Sequence, residues 1–216
     1  MTSNAELDVV VGLILAGGQS RRMGGGDKCL RMIAGRPMLA HVLERLAPQC
    51  AHLVLNANGD SSRFAAFALP VVADTVQGFP GPLAGVLAGL RWTAANVPAA
   101  RWMVTVSADA PFVPADLVAG LLGAARSGRL TERPIALARS GGNLHPVIGL
   151  WPAALADDLE AALVSGTRKV LAWTDRHGTL PVDFPPSRIG GREVDPFFNV
   201  NTPDDLAEAE SLLSEG

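Results

Sequence analysis

Short, wholly apolar runs alternate along this chain with longer stretches in which apolar residues recur every third or fourth position. Residues 9–15 read VVVGLIL, the pattern of a strand covered on both faces in a parallel sheet. Leu53-Val54-Leu55, Val71-Val72-Ala73 and Trp102 to Val106 have the same character. Between them, Pro37 opens a helix that carries Met38, Leu39, Val42, Leu43 and Leu46 on one face. Further helical stretches are expected at about 61–67, 82–95 and 114–126. The alternation predicts an α/β fold: a single Rossmann-like three-layer domain with a mostly parallel sheet and right-handed crossovers.

The second half is less regular. Ile135-Ala136-Leu137 and Pro146 to Trp151 read as strands, and a helix is expected near 153–164. Residues 175–196 hold several Pro and Gly and read as loop with one short strand, Leu180 to Phe184. The last helix begins after Thr202-Pro203, a cap followed by proline at the first helical position. Asp204 and Asp205 suit its positive end, and Leu206, Ala209, Leu212 and Leu213 form its apolar face. Residues 1–8 are polar and acidic and are expected to be a flexible N-terminal segment, with 9–216 forming one domain.

Three predicted strands stop at a polar or acidic residue, Asn56, Asp74 and Asp109, and the first runs into a glycine-rich loop. Each residue alone would suit a turn. Together they place chemistry at four strand ends on one edge. In open parallel sheets a ligand lies beyond the carboxyl ends of the strands, and the binding site is expected there.

Composition narrows the class. The chain has 216 residues, 48% hydrophobic and 18% charged, which argues against a disordered chain. A net charge of −3 argues against a dedicated nucleic-acid binder. Cys29 and Cys50 supply neither a disulfide framework nor a zinc site and read as free thiols in a reducing compartment. No apolar run approaches the ~20 residues of a membrane span, and the start has no signal-peptide pattern. A cytoplasmic, monomeric protein with no membrane or nucleic-acid partner is expected.

The candidate chemistry concentrates in Leu15-Ala16-Gly17-Gly18-Gln19-Ser20-Arg21-Arg22-Met23-Gly24-Gly25-Gly26-Asp27-Lys28. Glycines let backbone N–H groups approach phosphate closely, and Arg21, Arg22 and Lys28 supply charge for a polyphosphate. Neither the P-loop spacing nor the dinucleotide Gly-x-Gly-x-x-Gly spacing is present.

This loop resembles the signature of nucleotidyltransferases that activate a phosphate-bearing acceptor with a nucleoside triphosphate. NAN at 56–58, GPLAG at 81–85, SADAPFVP at 107–114, HP at 145–146 and NVNTPDDL at 199–206 extend the likeness to nearly the whole chain. The combination resembles the molybdenum cofactor guanylyltransferase family. The family often has Asp-Thr-Pro where this chain has Asp109-Ala110-Pro111, which removes a hydroxyl beside the metal-ligand position.

The resemblance implies transfer of GMP from GTP to the phosphate of molybdopterin, with pyrophosphate released. It implies a nucleotide half over roughly 9–110 and an acceptor half over 111–216. It places Leu15, Ala16, Gly17, Lys28, Asn56, Asp74 and Asp109 against the nucleotide, with Asp109 as Mg²⁺ ligand and Lys28, Asp109 and Arg22 as the catalytic set. Asn56 and Asp74 would meet the nucleoside, at the guanine N–H edge or a ribose hydroxyl. His145, Arg168, Lys169, Asn199 and Asn201 match the acceptor side. A labile product implies transient contact with cofactor-biosynthesis or recipient enzymes. No catalytic His or Cys is expected: His41 lies in an apolar helix and reads as structural, and His52 and His177 stand outside any motif.

Alternatives remain at this stage. The cytidylyltransferase of the same cofactor shares the loop and metal residue. Sugar-phosphate nucleotidyltransferases differ in glycine spacing. A non-catalytic GTP-binding or cofactor-carrying protein would not require both Lys28 and Asp109.

Overall fold

A computed structural model describes residues 9–17, 27–76, 81–127 and 134–214. The chain enters the sheet at β1 (Val10–Leu15). A short 3-10 turn (Lys28–Leu30) precedes a small hairpin of β2 (Met32–Ile33) and β3 (Arg36–Pro37). The hairpin turns on Ala34 and Gly35, both at positive φ (48° and 76°), the backbone that a two-residue turn of matching twist requires. Then follow α1 (Met38–Leu46), β4 (His52–Asn56), a 3-10 segment (Ser61–Phe67), β5 (Val71–Val72), α2 (Pro82–Asn96), β6 (Trp102–Ser107) and α3 (Leu117–Ser127). The second half supplies β7 (Ile135–Ser140), β8 (Asn143–Pro152), α4 (Ala156–Val164), α5 (Val170–Thr174), β9 (Thr179–Asp183), β10 (Ser187–Ile189), β11 (Arg192–Val194) and α6 (Pro203–Ser214).

Seven strands form one sheet in the order β5-β4-β1-β6-β8-β7-β9. Neighbours are parallel except at β8, which runs antiparallel to both β6 and β7. The expected three-layer α/β architecture is present. Two refinements concern local geometry. Residues 61–67 wind as 3-10 rather than α-helix, capped by Asp60, whose carboxylate accepts from the Ser62 N–H at 2.9 Å. The helix expected from 114 begins at Leu117. Within 175–196 the short strand is found at Thr179–Asp183, and the β10–β11 hairpin adds to it.

Alternate residues of β1 feed two cores. Val10 and Ile14 pack with Leu39, Val42 and Leu46 of α1 and with Leu117 and Leu121 of α3. Val11 and Leu13 pack with α2 (Val86, Leu87, Leu90), and the same core runs to Leu159 of α4 and Trp173 of α5. Val11, Leu13 and Ile14 are fully buried, each worth about 1.5–3 kcal/mol of transfer free energy. A third core seats α6 (Ala209, Leu212) against Ile33, Met38, Phe112 and Val200. Burial of polar groups is matched by bonding: the Trp151 indole N–H donates to Thr105 Oγ1 at 2.8 Å, and that hydroxyl donates to the Val147 carbonyl at 2.7 Å.

The register fixes the geometry of the functional edge. Leu15 is paired with Asn56 on one side and Ser107 on the other, and Asn56 is paired with Val72. The last residues of β5, β4, β1 and β6 therefore lie in one row. The chemistry-bearing residues that follow them emerge side by side.

Candidate active site

Ladder bonds continue past the strand ends: the Ala16 N–H donates to the Asn56 carbonyl at 2.9 Å, Ala57 N–H to Val72 at 3.0 Å, and Ala108 N–H to Leu15 at 3.0 Å. Beyond them a small cleft of about 70 Å³ is lined by Leu15, Ala16, Lys28, Cys29, Ser107, Ala108 and Asp109. The larger hollow, about 440 Å³, lies at the opposite end of β6 between Trp102 and Pro152, and carries none of the strand-end carboxylates.

The cleft centres on two charges. Lys28 Nζ forms an ion pair with Asp109 Oδ2, with side-chain exposures of 14% and 21%. Asp109 Oδ1 accepts from the Ser107 hydroxyl. Lys28 also donates to Asn201 Oδ1 at 2.7 Å. Lys28 leads the 3-10 turn after the glycine loop, and Asp27 before it pairs with Arg63 at 2.6 Å. That pair ties the loop exit to the 61–67 segment. Arg22 and the rest of 18–26 lie outside the described residues.

A second polar group sits at the ends of β4 and β5. Asp74 accepts from Asn56 Nδ2 at 3.0 Å and from Asn58 Nδ2 at 2.8 Å, while its own N–H donates to Asn58 Oδ1 at 2.8 Å. Asn56 is buried. Gly85, in the first turn of α2, lies against it: a Cβ there would stand 2.3 Å from Asn56 Oδ1 and 2.9 Å from Leu15 Cδ2. Only glycine admits this approach of helix to strand end. Gly17 lies on the same side, its Cβ direction 3.9 Å from Asn56 Oδ1.

Residues 195–202 cross the carboxyl edge and bring the two halves together. Asp195 Oδ1 accepts from Ser140 Oγ at 2.7 Å and from the Phe197 N–H at 2.9 Å. Phe197 packs on the His145 ring at 4.8 Å and edge-on to Phe184 at 5.5 Å. The Val200 N–H donates to the Asp109 carbonyl at 3.0 Å, and Asn201 then meets Lys28. Asn199 Oδ1 is buried without a hydrogen-bond partner among the described residues, as expected of a group reserved for a ligand. The segment is anchored by α6, where Thr202 Oγ1 accepts from the Asp205 N–H at 3.1 Å and Asp205 Oδ2 accepts from the Asn201 and Thr202 N–H groups at 2.8 Å. This is a reciprocal cap.

Thus Leu15, Ala16, Lys28, Asp109 and Asn201 converge on one cleft, and Gly17, Asn56 and Asp74 adjoin it. Asn199 lies in the crossing segment itself, and His145 packs against that segment through Phe197. Arg168 and Lys169 stand exposed just before α5, and Arg168 donates to the Leu163 and Thr167 carbonyls. Two of the other histidines are structural: His41 Nε2 bonds the Ile33 carbonyl at 2.9 Å, and His177 pairs with Asp158 and packs on Trp173; His52 is exposed at the start of β4. Burial pushes both thiols, Cys29 and Cys50, up to about 12, so neither is a nucleophile at neutral pH. Four contributors escaped the sequence reading: Ser107 on Asp109, Asn58 on Asp74, Arg63 on Asp27, and the Ser140–Asp195 pair on His145. The first two lie inside the motifs SADAPFVP and NAN; the others have no local signal.

The pattern of the MobA-like NTP transferase domain matches residues 12–180. The chain is 57% identical over 215 residues to the molybdenum cofactor guanylyltransferase of Bradyrhizobium sp. (strain ORS 278), covering 99% of this chain and 97% of that protein. It is 55% identical over 202 residues to the enzyme of the same name from Rhodopseudomonas palustris (strain BisB5), covering 93% and 92%. Among solved structures, the molybdopterin-guanine dinucleotide biosynthesis protein A from Archaeoglobus fulgidus superposes with a TM-score of 0.70 at 24% identity, covering 95% of this chain and all (100%) of that one, a likeness of fold. No helix among the described residues is long and apolar enough to cross a membrane. The chain is a nucleotidyltransferase that belongs to the molybdenum cofactor guanylyltransferase family, within the MobA-like NTP transferases.

Proposed function

We propose that this cleft transfers GMP from GTP to the terminal phosphate of molybdopterin and releases pyrophosphate. The observation that carries the reading is the Lys28–Asp109 ion pair, set between the ends of β1 and β6 and touched by Asn201 from the acceptor-side segment. The acceptor is a phosphate monoester with a second pKa near ~6, so it is largely anionic at neutral pH and needs no general base. An acceptor phosphate oxygen attacks the α-phosphorus, the α–β bridging P–O bond breaks, and its electron pair leaves with pyrophosphate.

The obstacle is repulsion between anions. Lys28 supplies a point charge to the nucleotide phosphates, and the family resemblance assigns a second to Arg22, which lies outside the described residues. In the free protein Lys28 and Asp109 satisfy each other, so neither charge is left bare in the cleft. On binding, Lys28 turns to phosphate and the Asp109 carboxylate is released, still oriented by Ser107.

The donor set suits Mg²⁺. Among the described residues no three His, Cys, Asp or Glu side chains are placed to hold a metal ion together, and one carboxylate with substrate phosphates and water is what this small hard cation takes. Asp109 would hold it. The bound ion would polarise the α-phosphate and neutralise charge developing on pyrophosphate.

Asn56 and Asp74 read the nucleoside. Asn58 fixes the Asp74 carboxylate from its far side, leaving it an acceptor for ligand N–H or O–H groups. Gly85 lets the start of α2 close on Asn56 and Leu15, which fixes the Asn56 side chain at the strand end. Asn199 and Asn201, with His145, Arg168 and Lys169, form the acceptor side, and the orphaned Asn199 oxygen supports this.

The test is pyrophosphate release with Mg²⁺ and molybdopterin, with GTP, CTP, ATP and UTP compared in parallel. Release with GTP alone is expected. Preference for CTP would move the protein to the sister cytidylyl activity, and no release with any nucleotide would favour a carrier.

A further inference from the structure

His145, Ser140 and Asp195 form a hydrogen-bonded chain against the 195–202 segment that crosses the carboxyl edge of the sheet. Ser140 Oγ lies 2.7 Å from Asp195 Oδ1 and 2.7 Å from His145 Nε2. The serine, not the histidine, occupies the middle, so this is not the order of a nucleophilic triad.

The directions of these bonds follow from counting protons. An ionised carboxylate only accepts, and a serine hydroxyl has one proton to give. Asp195 Oδ1 already accepts from the Phe197 N–H, so it takes the Ser140 proton as well. Ser140 Oγ must then accept from His145, which puts the ring proton on Nε2. In the neutral imidazole Nδ1 is left as an acceptor. Among the described residues Nδ1 has no hydrogen-bond partner. Burial holds the His145 pKa below the ordinary histidine range, with the Asp195 charge opposing, which favours the neutral ring. Phe197 packs against the ring and limits its rotation.

We infer that Ser140 and Asp195 are positioning residues that hold His145 as the Nε2–H tautomer, so that it offers Nδ1 as an acceptor to an N–H group of the pterin. The inference rests on the reading of His145 as an acceptor-side contact. A pterin presents ring N–H and amino donors, and a histidine offering a lone pair at a set place selects for them. With the orphaned Asn199 oxygen, the acceptor side then presents two unpaired acceptors. The opposite tautomer would set N–H against N–H. The residues that make the lock lie 55 positions apart, at the end of β7 and just after β11.

The experiment combines a structural readout with a kinetic one. The His145 tautomer is read from imidazole ¹⁵N shifts in the labelled free protein, assigned by the signal lost in His145→Gln. KM values for molybdopterin and GTP are measured for each variant, with melting curves to establish folding. The expected wild-type state is Nε2–H. Ser140→Ala and Asp195→Ala are expected to give a tautomer mixture and a molybdopterin KM raised about tenfold, with the GTP KM unchanged. Asp195 is exposed, so Asp195→Ala tests the lock even if Ser140→Ala fails to fold. Asp195→Asn keeps a carbonyl oxygen for Ser140 and Phe197, and is expected to restore both readouts. A wild-type Nδ1–H tautomer would overturn the inference. So would an unchanged molybdopterin KM in Ser140→Ala alongside a raised one in His145→Gln. If His145→Gln itself leaves that KM unchanged, the acceptor-side reading of His145 falls and takes the inference with it.

Discussion

Asp109→Asn lowers Mg²⁺-dependent turnover by about a thousandfold while leaving the fold intact. The large effect follows from the proposed mechanism, in which Asp109, the carboxylate lining the cleft, holds the cation. Removing one preorganised group that stabilises charge in a transition state costs about 10²–10³ in rate, and here the cation's anchor goes with it. The fold is spared for a local reason. The amide still accepts from the Ser107 hydroxyl, the Asp109 backbone carbonyl still receives the Val200 N–H, and Lys28 keeps Asn201. Steady-state kinetics across a Mg²⁺ titration, with a melting curve, check this. Wild-type turnover would remove Asp109 from the mechanism.

Lys28→Ala differs in which constant moves. In the proposed mechanism Lys28 contacts phosphate in both the bound and the reacting state, so its loss is expected to raise the GTP KM as well as lower kcat. The combined loss in kcat/KM is expected to be about a hundredfold or more. The ion pair with Asp109 is mostly buried, with side-chain exposures of 14% and 21%, so removing Lys28 leaves Asp109 without its cation and also lowers stability, which a melting curve reads. The neighbouring Asp27–Arg63 pair still holds the end of the glycine loop. Nucleotide titration of the folded variant checks the binding component. Unchanged GTP affinity and turnover would contradict the placement of Lys28 on the phosphates.

How much of this was legible in the sequence depends on the distance over which each feature is encoded. β1, β4, β5 and β6 were readable because a strand covered on both faces writes a continuous apolar run, and the next polar residue marks its end. That signal placed Asn56, Asp74 and Asp109 on one edge. The pairing of Leu15 with both Asn56 and Ser107 explains why they meet. The direction of β8 was not legible, because apolar alternation carries no sign of parallel or antiparallel pairing. α5 has five residues, and β10 and β11 have three each. Elements that short are held by tertiary packing, Trp173 and Val194 among the buried contacts, and local periodicity cannot announce them.

The site divides in the same way. Lys28 follows a recognisable glycine loop, and Asn201 became a candidate only through family resemblance. Their contact spans 173 positions. Asn58 and Ser107 stood inside quoted motifs, but their roles are set by side chains converging in space. Ser140 and Asp195 carry no pattern at all, since a buried serine at a strand end is unremarkable until its partners are known.

The most direct test of the central claim follows the nucleotide's own atoms. The enzyme is incubated with Mg²⁺, molybdopterin and GTP labelled at the α-phosphorus or, separately, at the γ-phosphorus. The α-label is expected to enter a guanine–pterin dinucleotide in equal amount to the γ-label recovered as pyrophosphate, and Asp109→Asn is expected to form neither. An α-label recovered as free GMP, or a γ-label recovered as inorganic phosphate with no dinucleotide, would contradict that claim.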